Sequence, residues 1–132
     1  MSNKLEDDYY CYVCGEKNPQ GLHLKFTVHN GIVSTEFIPQ KIHQGYKDIV
    51  HGGIITTILD EAMVKAALMK SIPAVTAEIT VRFKNSLMAG EKVIVEAYIT
   101  KTIKKIIEAS AIVKKTDDTL IAEGHAKLLR RD

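Results

Sequence analysis

Apolar and polar residues alternate in the first third of the chain in a pattern that predicts a β-hairpin. Every second residue from Leu22 to Val28 is apolar, and a second alternating run extends from Val33 to Phe37. The dipeptide Asn30-Gly31 lies between the two runs. Asn-Gly in this position is typical of a tight hairpin turn, so we predict two antiparallel strands here.

A longer alternating run begins at Val75. Apolar residues occupy every second position from Val75 to Phe83, and polar residues occupy every second position from Thr76 to Lys84. This alternation predicts a strand with one buried and one polar face. Further strands are predicted at residues 92–100, 106–114 and 120–129. The C-terminal half is therefore expected to be a series of antiparallel strands.

One long apolar segment, from His51 to Met69, lies between these groups of strands. Apolar residues fall on nearly every side of the helix that it predicts, which is typical of a helix surrounded by protein. Ser71-Ile72-Pro73 ends the helix. Because no other helix is long enough to cover a sheet, the strands must curl around this one. The predicted fold class is α+β, with a curved antiparallel sheet wrapped around one central helix.

Length and charge narrow the class of protein. The 132 residues suit a single domain, 1–132, with a modest core. The chain has 18 Lys and Arg residues against 16 Asp and Glu, and this balance lacks the basic excess expected of a nucleic-acid-binding protein. The first eight residues are polar and acidic, and no apolar run is long enough for a signal peptide or a membrane span. We expect a cytoplasmic protein that binds neither nucleic acid nor membrane.

The start of the predicted helix has the features of an anion or oxyanion site. Gly52 and Gly53 place bare backbone N–H groups in its first turn, where such donors have no partner within the helix. The helix dipole also favours negative charge there. Asp60 follows Gly53 by seven residues, nearly two turns, so it lies on the same stripe of the helix.

Two adjacent acids on this helix have different sequence environments. Glu61 has Lys65 as an i,i+4 partner, whereas no cation occupies the positions three or four residues from Asp60. An unpaired carboxylate on a largely buried helix is costly and indicates a functional role. The structural alternative is that Asp60 accepts a hydrogen bond from Thr56 or Thr57, or contacts a neighbouring subunit.

The loop at residues 39–50 leads into the helix and brings His43, Gln44 and His51 close to its start. Loops that lead into a helix N-terminus often carry functional residues. The Gln44 side-chain amide could donate to a substrate carbonyl as an uncharged member of an oxyanion hole. Alternatively, Gln44 serves only to fix the conformation of the loop.

Cys11 and Cys14, the two cysteines of the chain, have the C-x-x-C spacing of half a zinc knuckle. A closed zinc site needs four ligands, so this pair would require His23, His29 or His43, or a second pair from a partner subunit. A redox role is disfavoured because no βαβ pattern surrounds the pair. We favour a turn with reduced thiols and predict neither a metal nor another cofactor.

The residues resemble a known family, the hotdog-fold acyl-CoA thioesterases of the phenylacetate-pathway (PaaI-like) type. The resemblance rests on His51-Gly52-Gly53 opening the helix, an acid nine residues after the histidine, and Val75-Thr76 opening the next strand. The N-terminal pattern C-x-x-C-G-x-x-N-P resembles a subgroup of that family. The family implies a homodimer or tetramer with its active site at a subunit interface, using Gly52 and Gly53 from one subunit and Asp60 from the other.

The resemblance also implies roles in the hydrolysis of an acyl-CoA or aryl-CoA thioester without a cofactor. The Gly52 amide would bind the thioester oxygen as it becomes negative. Asp60 would act as general base or as nucleophile, and Thr76 would orient water. Gln44 corresponds less securely to a family position, and His51 is expected to shape the loop or line the substrate site.

Two strand residues, Arg82 and Lys84, could contact the phosphates of coenzyme A, although a solvated strand face is the simpler interpretation. Two alternative functions are a 3-hydroxyacyl thioester dehydratase, which would need His51 as its catalytic residue, and a non-catalytic acyl-CoA-binding protein. The second would tolerate loss of Asp60.

Overall fold

The computed structural model describes residues 4–132 and contains one long helix and six strands. The helix α1 spans Gly52–Leu68, and a short 3-10 helix spans Lys41–His43. The strands are β1 Thr27–His29, β2 Ile32–Phe37, β3 Ala74–Phe83, β4 Val93–Ile103, β5 Ile106–Lys115 and β6 Leu120–Arg130.

All six strands form one antiparallel sheet in the order β1-β2-β4-β5-β6-β3. Strands β2 to β6 all contact α1. Every helix residue from 54 to 67 is buried or half-buried, as its apolar sequence predicts. The expectation of an α+β fold, with a sheet wrapped around one central helix, is confirmed.

The predicted N-terminal strand is shorter than its sequence alternation indicates. The N–H groups of Leu22 and Leu24 donate to the carbonyls of Tyr12 and Val13, so this part of the chain pairs with the cysteine segment and β1 begins five residues after Leu22. The predicted turn is confirmed, because Asn30 and Gly31 have φ values of 51° and 78°. Two consecutive positive φ values are what a two-residue hairpin turn of type I′ requires.

A β-bulge interrupts the alternation that the sequence predicts for β3. The register with β6 shifts between Thr76 and Glu78, leaving Ala77 as the extra residue. Thr76 contacts the helix, and Ile79 and Val81 pack against the core, so these residues share one face although their numbers differ in parity. The prediction of unbroken alternation is wrong at this end of the strand, and the bulge is what aims Thr76 at α1.

The remaining predicted strands are confirmed with small extensions. The structure places four strands after the helix, and β4 continues to Ile103, where a turn at Lys104 and Lys105 leads into β5. Among residues 4–132, no helix is both long enough and apolar enough to cross a membrane.

Candidate active site

The two glycine amides at the start of α1 differ in their hydrogen bonding. The Gly53 N–H donates to Nδ1 of His51, the residue that caps the helix, over 2.8 Å. In the part of the chain that the structure describes, the Gly52 N–H has no acceptor. Of the two predicted oxyanion donors, therefore, only Gly52 is available in this conformation.

Gly52 lies at a junction of two clefts, beside an aromatic ring. One cleft, of about 430 Å³, is bordered by the loop at residues 45–51, and the other, of about 310 Å³, extends to Phe83 and Lys84. A Cβ atom at Gly52 would lie 3.3 Å from Cζ of Phe83. The absence of a side chain thus allows the ring to approach this backbone amide closely.

The Asp60 carboxylate is half-buried and is held by a side chain of β3. The Thr76 hydroxyl donates to its Oδ1. The hydroxyls of Thr56 and Thr57 instead donate to the carbonyls four residues before them, at Gly52 and Gly53, so they are not the partners of Asp60. None of the ion pairs formed within residues 36–132 includes Asp60.

Gln44 fixes the loop and keeps its donor group free. Its Oε1 accepts a hydrogen bond from the backbone N–H of Asp48, over 3.0 Å, at a residue with a φ of 65°. The side-chain nitrogen of Gln44 has no acceptor within the described residues. The loop-fixing role is thus visible, and the orientation that it imposes leaves the amide N–H groups free to donate.

Two histidines of this loop use Nδ1 as a hydrogen-bond acceptor. His43 Nδ1 accepts from the backbone N–H of Gln40 over 2.9 Å, and His51 Nδ1 accepts from Gly53. Both bonds require a ring that is unprotonated at Nδ1. Burial lowers the pKa of His43, which favours the same neutral form. The loop and the helix cap therefore depend on neutral imidazoles.

The two basic residues predicted near β3 have different positions. Lys84 borders the cleft that also reaches Gly52, with its Nζ 3.8 Å from Glu123 Oε1. Arg82 is exposed, lies opposite Glu123 on β6 and is not among the residues that line this cleft. Only Lys84 is brought to the start of the helix.

Gly52 and Asp60 do not converge within one chain. They are eight residues apart on the same helix, which corresponds to about 12 Å along its axis at 1.5 Å per residue. Groups that act on the same carbonyl must both lie within hydrogen-bond reach of the reacting atoms. A single chain therefore holds these two groups about two helical turns apart.

Sequence reasoning missed one cluster, which Glu61 forms with the two cysteines. Glu61 makes the predicted pair with Lys65, at 3.9 Å, but its carboxylate also lies 3.3 Å from Cys11 Sγ and 3.9 Å from Cys14 Sγ. Both thiols are free. Forty-seven or more residues separate Glu61 from the cysteines, so no local spacing could have indicated this contact. The cluster does not include the histidines considered as ligands, His23, His29 and His43.

Comparison with known proteins identifies the family. The model of the thioesterase superfamily matches residues 47–122, which include all of α1 with Gly52 and Asp60. Mouse acyl-coenzyme A thioesterase 13 is 29% identical over 91 residues, covering 66% of this chain and 65% of the mouse protein.

Solved structures show the same fold at low sequence identity. A thioesterase superfamily protein superposes with a TM-score of 0.86 at 16% identity, over 92% of this chain and 60% of that one. The PaaI protein of E. coli gives 0.77 at 17% identity, over 83% and 80% of the two chains. A protein from Streptococcus mutans, solved with acetyl CoA bound, gives 0.77 at 15% identity, over 81% and 87%. The chain therefore belongs to the thioesterase superfamily and has its hotdog fold.

Proposed function

We propose that this protein hydrolyses acyl-CoA or aryl-CoA thioesters to the free acid and coenzyme A. The observation that carries the proposal is the Asp60 carboxylate, which is half-buried on the central helix and oriented by the Thr76 hydroxyl. A carboxylate held in this way is suited to accept a proton from water or to attack a carbonyl. Membership of the thioesterase superfamily and the similarity to mouse acyl-coenzyme A thioesterase 13 support this activity.

Two groups would act on the thioester carbonyl. As its carbon is attacked, the oxygen becomes negative and accepts a hydrogen bond from the Gly52 N–H, a donor typically worth about 3 kcal/mol in the transition state. Asp60 either takes a proton from the attacking water or attacks first to give an anhydride, which water then hydrolyses. The C–S bond breaks and the coenzyme A thiolate leaves, to be protonated to the thiol.

The distance along α1 supports an active site in which these groups come from two copies of the chain. With about 12 Å between Gly52 and Asp60 on one helix, a single copy cannot supply both to one carbonyl. A homodimer related by a two-fold axis would form two identical sites, each with Gly52 from one subunit and Asp60 from the other. Pairing of dimers into a tetramer is compatible with the same sites.

Thr76 and Gln44 would support the chemistry. Because the Thr76 hydroxyl donates to Oδ1 of Asp60, Oδ2 of the carboxylate stays open to a water molecule and the Thr76 oxygen can accept from the same water. The free amide of Gln44 would donate to the thioester oxygen alongside Gly52. Lys84, at the cleft by Gly52, would contact a coenzyme A phosphate, and Arg82 would do so farther out.

The dehydratase alternative is weaker because of the hydrogen bond to His51. Its Nδ1 accepts from Gly53, so the neutral ring carries its proton on Nε2 and cannot use that atom as a base. His51 is better suited to cap the helix and line the cleft of about 430 Å³. A non-catalytic acyl-CoA-binding protein remains the alternative that experiment must exclude.

Release of free thiol from a panel of acyl- and aryl-CoAs tests the activity. We expect the wild-type protein to cleave at least one thioester, and Asp60→Asn to lower kcat by a factor of about 100 or more, as expected for loss of a catalytic base. Asp118→Asn is the matched control, since it makes the same substitution at an exposed turn whose φ of 70° suits asparagine. If no thioester is cleaved, or if Asp60→Asn retains wild-type activity, the binding-protein interpretation replaces this one.

A further inference from the structure

Two thiols and a carboxylate meet beside the central helix. The Sγ atoms of Cys11 and Cys14 and a carboxylate oxygen of Glu61 all lie within 4.8 Å of one another, and all three residues are half-buried. The two cysteines belong to the N-terminal segment and Glu61 belongs to α1, so the cluster joins two parts of the fold. None of these residues has a part in the proposed hydrolysis.

The backbone around the cysteines is folded so that both sulfurs point to Glu61. The Gly15 N–H donates to the Cys11 carbonyl over 2.8 Å, which closes a tight turn around the pair. A Cβ atom at Gly15 would lie 2.4 Å from the Cys11 nitrogen, so this turn requires glycine. The turn fixes the spacing of two sulfur donors before any ligand arrives.

We propose that the cluster binds one Zn²⁺ ion, with Cys11, Cys14 and Glu61 as its protein ligands and water as the fourth. Cysteine sulfur and carboxylate oxygen are both established zinc ligands in tetrahedral sites. A cavity of about 330 Å³ adjoins the cluster and provides room for the water. The metal would fasten the N-terminal segment to α1.

The charges of the cluster balance with and without the metal. Lys65 Nζ lies 3.9 Å from Glu61, so the two thiols, the carboxylate and the ammonium group sum to zero in the metal-free protein. Two thiolates, one carboxylate, Zn²⁺ and Lys65 also sum to zero. Zinc therefore replaces two protons. The half-buried site has no net charge in either state, so neither state buries an unbalanced charge.

The groups that surround Cys14 favour its protonated form in the metal-free protein. Burial, the hydrogen bond with Cys11 and the negative charge of Glu61 raise the pKa of Cys14 to about 11. Glu6 and Asp7 border the adjoining cavity and add negative charge, while Lys65 opposes them. A divalent cation would reverse this balance, because coordination deprotonates a thiol.

Zinc titration of the full chain, stripped with a chelator and kept reduced, tests the proposal. We expect one Zn²⁺ per chain, release of about two protons at pH 7, and a thiolate-to-metal absorption band when Co²⁺ replaces Zn²⁺. Cys11→Ser and Cys14→Ser should abolish that band. Glu61→Gln should weaken zinc binding by at least about tenfold. Glu16→Gln, which makes the same change at an exposed acid beside the turn, should leave binding unchanged.

Three results would overturn the proposal. They are substoichiometric zinc in the wild-type chain, release of fewer than about two protons, and equal affinity in Glu61→Gln and Glu16→Gln. Proton release is measured on the wild-type chain, so the test stands even if a serine variant fails to fold. Loss of zinc binding would not affect the proposed thioesterase activity, because the cluster shares no residue with it.

Discussion

At the scale of single residues, the proposed hydrolysis depends most on the hydrogen bond between Thr76 and Asp60. Thr76 donates to one carboxylate oxygen, and in the proposed reaction this bond would leave the other oxygen to act on water. Sequence alone predicted that Asp60 lacks a cation, and the structure agrees within residues 36–132. The alternation of apolar and polar residues could not predict Thr76 as the partner of Asp60, because the β-bulge that turns Thr76 toward the helix has no signal in that pattern.

Replacing Thr76 with valine tests this contact. Valine keeps the shape but removes the hydroxyl, so we expect kcat to fall about tenfold or more, as for loss of a hydrogen bond to a charged group. Thr76→Ser should retain most of the activity. Thr57→Val is the matched control, since the Thr57 hydroxyl donates only to the Gly53 carbonyl. Equal thiol-release rates for Thr76→Val and Thr57→Val would show that Thr76 does not serve the reaction.

At the scale of elements, the helix and most strands could be predicted because each carries its own periodic signal. The segment from His51 to Met69 is apolar on nearly every side, and α1 lies within it at Gly52–Leu68. The prediction was wrong at residues 22–26, where an alternating pattern pairs with the cysteine segment instead of forming a strand. Local pattern specifies that a segment is extended, but the pairing partner is a property of the whole chain.

The loop before α1 should make stability depend on pH. Burial lowers the pKa of His43 below its ordinary value of 6.5, so the unfolded chain binds a proton more readily than the folded one in mildly acidic solution. Well above pH 6.5 the ring is neutral in both states and has no effect. Below that pH the free energy of unfolding should fall, and the Gln40–His43 hydrogen bond should weaken with it.

Thermal unfolding between pH 7.5 and 5.5 measures this effect. His43→Gln should lose less stability than the wild-type chain over the interval, because the variant has no ring to protonate. His29→Gln, which makes the same substitution at an exposed position of β1, is the matched control. A His43→Gln curve with the same slope as that of wild type would show that His43 has no part in the pH dependence.

At the scale of the whole molecule, the sequence predicted the fold and the family but not the clusters that long-range contacts create. The family resemblance supplied the expectation that Gly52 and Asp60 come from different subunits, and the helix length now gives it a physical reason. The Cys11, Cys14 and Glu61 cluster had no sequence signal, because α1 must first pack beside the N-terminal segment. Residues far apart in sequence meet only through the fold.

Subunit complementation tests the central claim that each active site uses two copies of the chain. Gly52→Pro removes the N–H donor at the first helical residue, where proline is well tolerated, and Gly52→Ala is the control that adds a side chain but keeps the N–H. We expect Gly52→Pro and Asp60→Asn each to be nearly inactive and Gly52→Ala to be more active than Gly52→Pro.

The decisive measurement is the thiol-release rate after the Gly52→Pro and Asp60→Asn proteins are unfolded together, in equal amounts, and refolded. In a mixed dimer, the intact Gly52 of one subunit meets the intact Asp60 of the other, which restores one of the two sites. Because random pairing makes about half of the dimers mixed, one site in four should be restored and the activity should return to about a quarter of wild type. No recovery in a sample shown to contain mixed dimers would contradict the account, because it would mean that Gly52 and Asp60 act within the same chain.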